Sequence, residues 1–367
     1  MTILFVTGHP AQIHNFRVAK QLLEQKGHKV VWVASAKEIS FQLLELYGIK
    51  ATEIQRPKKG ILNKIKTLLV NAFIIYKLMK KEKVEMVVSR VSPFAALAAF
   101  WLRKPHIALA DTEVSGFYDT FFSRMVDVLI TSKTFKRDLR KDQIKIPANI
   151  ELFYLHPNHY KAKDDVFNYL GLEKGDPFVV LRFVSWGAYH DVGMHGYNEE
   201  QKIKAVQSFE KFGKVFISAE GELPEILKPY QIKIPYDLIH DALYHARLFL
   251  GEGASMAAEA AILGTPAIFL NDIWSGNGED MEKYGIFYGF KSNLNDQENS
   301  IAKGLELLQM DNLKDWMKSN LDKYMSDKID ASAFLVWFIE NYPTSKKEML
   351  TNPSAFEKFK PHIKTFN

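Results

Sequence analysis

The sequence predicts an α/β protein of two domains with parallel sheets, and three observations carry that prediction. Strand-like apolar runs alternate with helix-like stretches through both halves of the chain, the pattern of repeated βαβ units. At 367 residues the chain is long enough for two domains that each bury a core. In Leu248–Pro266 an apolar run ends in Gly251 and Gly253, a small-residue helix-forming segment follows, and Gly264 and Pro266 stop it before Ala267-Ile268-Phe269-Leu270. That order reads strand, tight turn, helix, strand.

In the first half, Ile3–Val6 reads as a strand, followed by a polar loop, an amphipathic stretch from about Asn15 to Gln25, a stop at Gly27 and a second strand at Lys29–Ser35. Met86–Ser89, His106–Ala110 and Val128–Thr131 are further strands, and Phe178–Val184, Val215–Ser218, Leu248–Leu250 and Ala267–Leu270 repeat the scheme in the second half. The polar stretch Lys161–Asp165, or Glu173–Pro177 after it, marks the junction. The expected domains are therefore 1–165 and 166–342, with 343–367 as a solvated arm or a crossing helix.

Hydrophobic content of 47% and charged content of 25% belong to a globular protein. The net charge of +5 does not argue for nucleic acid, and no nucleic-acid partner is expected. The absence of cysteine excludes disulfides, thiolate catalysis and cysteine metal sites. Met1-Thr2-Ile3-Leu4-Phe5-Val6 carries no basic leader, so a cytoplasmic setting is expected.

Sheets of this kind bind ligands outside the carboxyl ends of their strands. Residues that bear chemistry follow those ends: Thr7–Phe16, Asp111-Thr112-Glu113, Ser185–Gly196, Ala219–Glu222 and the Gly251–Glu259 turn. These loops are expected to converge on one cleft. A Gly-rich turn leading into a helix start suits a phosphate or diphosphate. Ser255 and Glu259 share a helix face, which would set a carboxylate roughly 5–6 Å from that cradle. Neither a P-loop nor a dinucleotide Gly-x-Gly-x-x-Gly follows the first strand, which counts against an ATPase or a dehydrogenase.

The segment Lys58–Lys83 holds eight lysines and an apolar stripe through Ile61, Leu62, Ile65, Leu68, Leu69, Ala72, Phe73, Ile75, Tyr76 and Met79. Its longest lysine-free stretch is too short to span a bilayer, which takes about 20 residues. Two readings stay open: a core helix with lysines on its wet face, or an interfacial helix making a peripheral contact with the inner membrane face.

Gly8–Phe16, Ala110–Glu113, Leu181–Asp191, His240–Ala246 and Gly251–Pro266 together resemble, in order and over nearly the whole chain, the prokaryotic family known as domain of unknown function 354. That family resembles a branch of the GT-B superfamily, with its nucleotide-sugar glycosyltransferases and non-hydrolysing UDP-N-acetylglucosamine 2-epimerases. The resemblance implies two Rossmann-like domains with parallel sheets facing across a cleft. It implies a transferase moving sugar from a nucleotide-diphosphate donor, UDP-linked, to a glycan or lipid-linked acceptor in surface-polysaccharide assembly. An epimerase of the same fold and a catalytically silent nucleotide-sugar binder are the alternatives. No cofactor and no metal are expected.

By this resemblance Glu259 holds the ribose hydroxyls, while Gly253, Ala254 and Ser255 line the diphosphate together with Gly251, Glu252 and Met256. Arg182 and His190 counter negative charge, Asp191 orients or accepts, Trp186 stacks or packs, and Glu220 and Asn271 are further donor contacts. His14 and Glu113 are rival bases for the acceptor hydroxyl. Asp-Thr-Glu-Val-Ser-Gly around Glu113 resembles the epimerase His-Val-Glu-Ala-Gly element, but Arg90-Val91 stands where those enzymes carry Gly-Asp. His190, Asp191 and His195 could be mistaken for a zinc set, but nothing else in the sequence identifies them as one.

Overall fold

The computed structural model describes residues 1–36, 39–56, 60–111, 113, 117–184 and 196–360, with the backbone alone at 117–119. It contains two compact units, Met1–His159 with the returning chain from Lys328, and Tyr160–Asp327.

Among the described residues the first unit holds seven strands: β1 (Thr2–Thr7), β2 (Lys29–Ser35), β3 (Thr52–Ile54), β4 (Met86–Ser89), β5 (His106–Ala110), β6 (Val128–Ser132) and β7 (Ile144–Ile146). They pair in the order β3-β2-β1-β4-β5-β6-β7, all parallel. Ile3, Leu4, Phe5, Val87, Val88, Ile107 and Leu129 are buried, as expected where helices cover both faces of a parallel sheet. The chain leaves β1 toward β2 on one side and enters β4 on the other, so the sheet reverses direction beside β1. The crevice at such a switch is where open α/β sheets bind ligands.

Within this unit the basic segment is a 21-residue helix, Ile61–Lys81. Thr67, Asn71, Ala72, Ile75 and Met79 are buried, and Ile75 and Met79 join the cluster containing Ala95, Ala98 and Ala99. The stripe read from the sequence thus divides. Only Ala72, Ile75 and Met79 of its ten residues are buried, while Ile61, Leu62, Ile65, Leu69 and Phe73 are exposed. No described helix is long and apolar enough to cross a membrane.

The second unit holds β8 (Phe178–Phe183), β9 (Lys214–Ala219), β10 (Leu248–Gly251), β11 (Ala267–Leu270) and β12 (Phe287–Phe290). The order is β12-β11-β10-β8-β9, again all parallel. This sheet reverses between β8 and β10, where Arg182 stands opposite Gly251.

The units change over at His159/Tyr160 and Asp327/Lys328, where the sequence places its junctions at 165/166 and 342/343. Polar bonds set the difference. The Tyr160 hydroxyl donates to Asp241 Oδ1 at 2.7 Å and the Lys163 N–H donates to the same atom at 2.9 Å, drawing 160–163 onto the second unit. Asp330 accepts from Asn158 Nδ2 at 2.9 Å and pairs with His159 Nε2 at 2.8 Å. It also caps the Ala331–Glu340 helix through the Ala333 N–H, so that helix belongs to the first unit.

Candidate functional site

At the switch point of the second unit, β10 ends in Gly251 and the Ala254–Ile262 helix begins with Gly253 as its N-cap. Among the described residues no side chain caps this helix. Ala254 and Ser255 are exposed at its start. An uncapped first turn presents backbone N–H donors and the positive end of the helix dipole, which favours an anion.

The two glycines serve different ends. A Cβ on Gly251 would lie 2.7 Å from Arg182 Cβ and 2.8 Å from the Arg182 carbonyl oxygen, so residue 251 is glycine because β8 passes too close for a side chain. A Cβ on Gly253 would meet only ordinary contacts, the nearest at 3.5 Å on Arg182 Cγ. Residue 253 is therefore open enough for a ligand.

Arg182 Nη1 donates to Ser218 Oγ at 2.8 Å, and its Nη2 donates to Glu220. The ends of β8 and β9 thus bring together two residues read from the sequence as separate donor contacts. Glu220 holds the guanidinium beside the glycine turn and offsets part of its charge.

Glu252 is buried and its carboxylate faces inward. It accepts from the Val184 N–H at 2.8 Å and the Tyr197 N–H at 2.6 Å. Those bonds make it a fastening between the backbone segments at Val184 and Tyr197. Burial pushes the Tyr197 phenol upward and the Glu252 charge adds to this, outweighing its bond to Ser300, so the phenol stays neutral. Asn271 follows β11; its Nδ2 donates to the Glu252 carbonyl at 3.4 Å and its Oδ1 accepts from the Ile273 N–H at 2.9 Å. The Asn271–Asp280 stretch runs into the Gly276–Lys283 helix, whose N-cap Ser275 accepts from the Gly278 N–H.

Glu259 lies one turn into the helix and is buried, and Met256 is half-buried. The Glu259 Oε1 is 3.2 Å from Nε2 of His240, itself buried. Sequence reasoning gave His240 no role, although it opens the quoted His240–Ala246 stretch; a polar residue four places before Tyr244 carries no sign of which carboxylate it meets. Trp186, His190, Asp191 and His195 lie outside the described residues. Among the described residues no group of three or more His, Asp or Glu side chains is placed to hold a metal ion.

In the first unit, His9 caps the Pro10–Gln25 helix by accepting from the Ala11 N–H. One turn further, His14 is buried, its Nδ1 3.1 Å from the Tyr47 hydroxyl and its ring stacked on Tyr154 at 5.4 Å. Glu113 follows β5; its Oε1 accepts from the Lys136 N–H at 3.3 Å and its carbonyl accepts from Arg137. The two rival bases therefore have different described partners. Arg90, at the end of β4, pairs with Asp111 at the end of β5 and donates to Asn15 Oδ1 at 3.0 Å. Val91 beside it has φ of 32°, a left-handed backbone that strains a β-branched residue and marks this turn as specially held. The sequence showed Arg90 only as a departure from a pattern; its partners come from strands far apart in the chain.

These features describe the GT-B fold, with two Rossmann-like units each carrying a parallel sheet. The chain belongs to the family described as "Protein of unknown function (DUF354)", whose model matches residues 3–330. Comparison with curated protein sequences finds no match. Among solved structures, the chain is similar to UDP-GlcNAc 2-epimerase from Neisseria meningitidis bound to UDP-GlcNAc, with TM-score 0.68 and 16% identity over 93% of this chain and 100% of that one. It is similar to S. aureus MnaA in a co-structure with UDP, with TM-score 0.65 and 16% identity over 94% and 97% of the two chains. It is also similar to the spinosyn rhamnosyltransferase SpnG complexed with spinosyn aglycone, with TM-score 0.57 and 12% identity over 93% and 100%.

Proposed function

We propose that this protein is a glycosyltransferase that binds a nucleotide-diphosphate sugar, UDP-linked, at the Gly253–Glu259 turn of its second unit and passes the sugar to an acceptor hydroxyl of a surface glycan or its lipid-linked precursor. The observation that carries the reading is the uncapped, exposed start of the Ala254–Ile262 helix, with the Glu259 carboxylate buried one turn behind it. Backbone N–H donors there suit a diphosphate that gains charge as the sugar departs, and a carboxylate one turn on suits paired ribose hydroxyls. On this reading Gly253, Ala254, Ser255 and Met256 line the diphosphate and Arg182 adds charge from its place between Ser218 and Glu220. The base for the acceptor is His14 or Glu113. No metal is required, because the helix start supplies the electrostatic stabilisation.

A second reading, a 2-epimerase acting on a UDP-N-acetylhexosamine, is favoured by the position of Glu113 after β5. Arg90 stands against it, since at the end of β4 a guanidinium bound to Asp111 replaces a carboxylate. Calorimetry with UDP, GDP, dTDP and CMP, followed by product analysis with the UDP-sugar that binds, tests the proposal. A transferase releases UDP only when acceptor is present. Interconversion of the sugar without release of UDP would establish the epimerase, and binding without turnover on any glycan extract would establish a silent binder.

A further inference from the structure

The Ile61–Lys81 helix has two apolar faces, and the core covers one of them. Thr67, Asn71, Ile75 and Met79, spaced by four, are the buried edge. Leu62, Ile65, Leu69 and Phe73, spaced by three and four, form a second ridge that the first unit leaves in solvent, and half-buried Tyr76 joins it to the core. Leu62 is 84% exposed, Ile65 50%, Leu69 51% and Phe73 49%. The first six residues of the helix, Ile61 to Lys66, are all exposed.

The ridge continues onto the neighbouring Pro93–Leu102 helix. Phe73 stacks on Tyr76 with centroids 6.0 Å apart, and Tyr76 meets Trp101 edge-on at 6.2 Å. Trp101 is 42% exposed and Phe100 beside it 66%. A patch of this extent on a folded unit marks a surface that meets something apolar.

The charge says what that is. Lys64, Lys66, Lys77, Lys80 and Lys81 lie on the helix and no acidic residue does. Lys77 Nζ sits 4.6 Å from the Phe73 ring centroid and Lys80 Nζ 4.9 Å from that of Tyr76, so the cations border the aromatic rings. A second copy of the chain meeting this face in a two-fold dimer would set lysines against lysines. An anionic bilayer supplies acyl chains for the ridge and headgroup charge for the lysines in one surface, and aromatic rings rimmed by cations suit the depth of its headgroups. We infer that the first unit docks on anionic membrane through Leu62, Ile65, Leu69, Phe73, Phe100 and Trp101, with the flanking lysines on the lipid headgroups. The docking stands independently of the donor site; its consequence, that the acceptor is lipid-borne, rests on the transferase reading.

The test is co-sedimentation of the full chain with vesicles of phosphatidylcholine containing 30% phosphatidylglycerol, or of phosphatidylcholine alone, at about 50 mM and about 500 mM salt. The expected result is binding to the anionic vesicles that weakens at least tenfold at high salt. It should weaken at least tenfold in the Lys64→Gln, Lys66→Gln, Lys77→Gln, Lys80→Gln variant and be lost in Leu69→Ser, Phe73→Ser. All six positions are exposed, so the variants should melt with the wild type, and UDP calorimetry without lipid should be unchanged. Failure of the wild type to bind anionic vesicles at low salt overturns the inference, as does binding that the ridge variant keeps. Reversible dimerisation in sedimentation velocity, abolished by the ridge variant without any vesicle binding, would assign the face to a second copy and also overturn it. None of these outcomes alters donor binding, so a failed dock and a failed donor site are told apart.

Discussion

The Nε2 atom of His240 lies 3.2 Å from Oε1 of Glu259, and both side chains are buried in the second unit. A buried carboxylate is costly without a partner, and the imidazole is a neighbour within ion-pair distance of this one. We expect Glu259→Gln to keep the fold and weaken UDP binding by about 1.5–3 kcal/mol, the range for a hydrogen bond to a charged group. His240→Gln, acting through Glu259, should cost less. UDP calorimetry on both variants decides it: unchanged affinity in folded Glu259→Gln removes Glu259 from the donor site.

The two glycines of the turn separate packing from binding. Gly251→Ala would drive a Cβ to within 2.7 Å of Arg182 Cβ and 2.8 Å of backbone oxygen, an overpacking that typically costs about 1–3 kcal/mol or more. Gly253→Ala meets nothing closer than 3.5 Å and should leave the urea midpoint in place. Its methyl group should still hinder the approach of a diphosphate. Gly253→Ala with full donor affinity would move the diphosphate away from this turn.

His14 can act as a base at Nε2 only when Nδ1 carries the proton and donates to the Tyr47 oxygen, 3.1 Å away. Tyr47→Phe removes that acceptor and frees the tautomer. The expected outcome is a fall in kcat, of order tenfold, with donor affinity preserved. Glu113→Gln is the counterpart, and if it alone abolishes turnover while Tyr47→Phe is silent, the base is Glu113.

Burial holds His106 down to about 3, and burial holds His156 down to about 4 against the opposing pull of Asp330. In the unfolded chain both take up a proton near pH 6.5. Below that pH the unfolded state binds more protons than the folded one, so the stability these groups allow is complete above pH 6.5 and is lost as pH falls toward 4 and 3. Each contributes a slope of about 1.4 kcal/mol per pH unit within its window. Asp330 is pushed up by burial but held down to about 2 by the His159 bond and charge, which extends the loss below pH 4. Urea unfolding of the first unit at pH 7, 6 and 5 measures the slope. His106→Gln should flatten it by about half, and an unchanged slope would reject the assignment.

Much of the architecture was legible. β1, β2, β4, β5, β6, β8, β9, β10 and β11 stand where apolar runs placed them, within a few residues, because strands buried on both faces need continuous apolar sequence. β3, β7 and β12 escaped notice: each is an edge strand of only three or four residues, too short to show a pattern. The basic helix showed its apolar residues but not their division, since periodicity reports a stripe and only the packed neighbours decide which side of it is covered.

What the sequence by itself determined is the α/β class, the parallel sheets, the family and the position of the glycine turn, because local propensity and chain order fix these before any distant contact forms. Tertiary structure alone decided what the polar residues do. Glu252 and Glu259 are seven apart in one turn and helix, yet one fastens the backbone of Val184 and Tyr197 while the other faces His240. Asn15, Arg90 and Asp111 meet from three separate elements. A hydrogen bond depends on which atoms arrive within about 3 Å of each other, and the folding of a whole sheet, not the spacing of residues along the chain, brings them there.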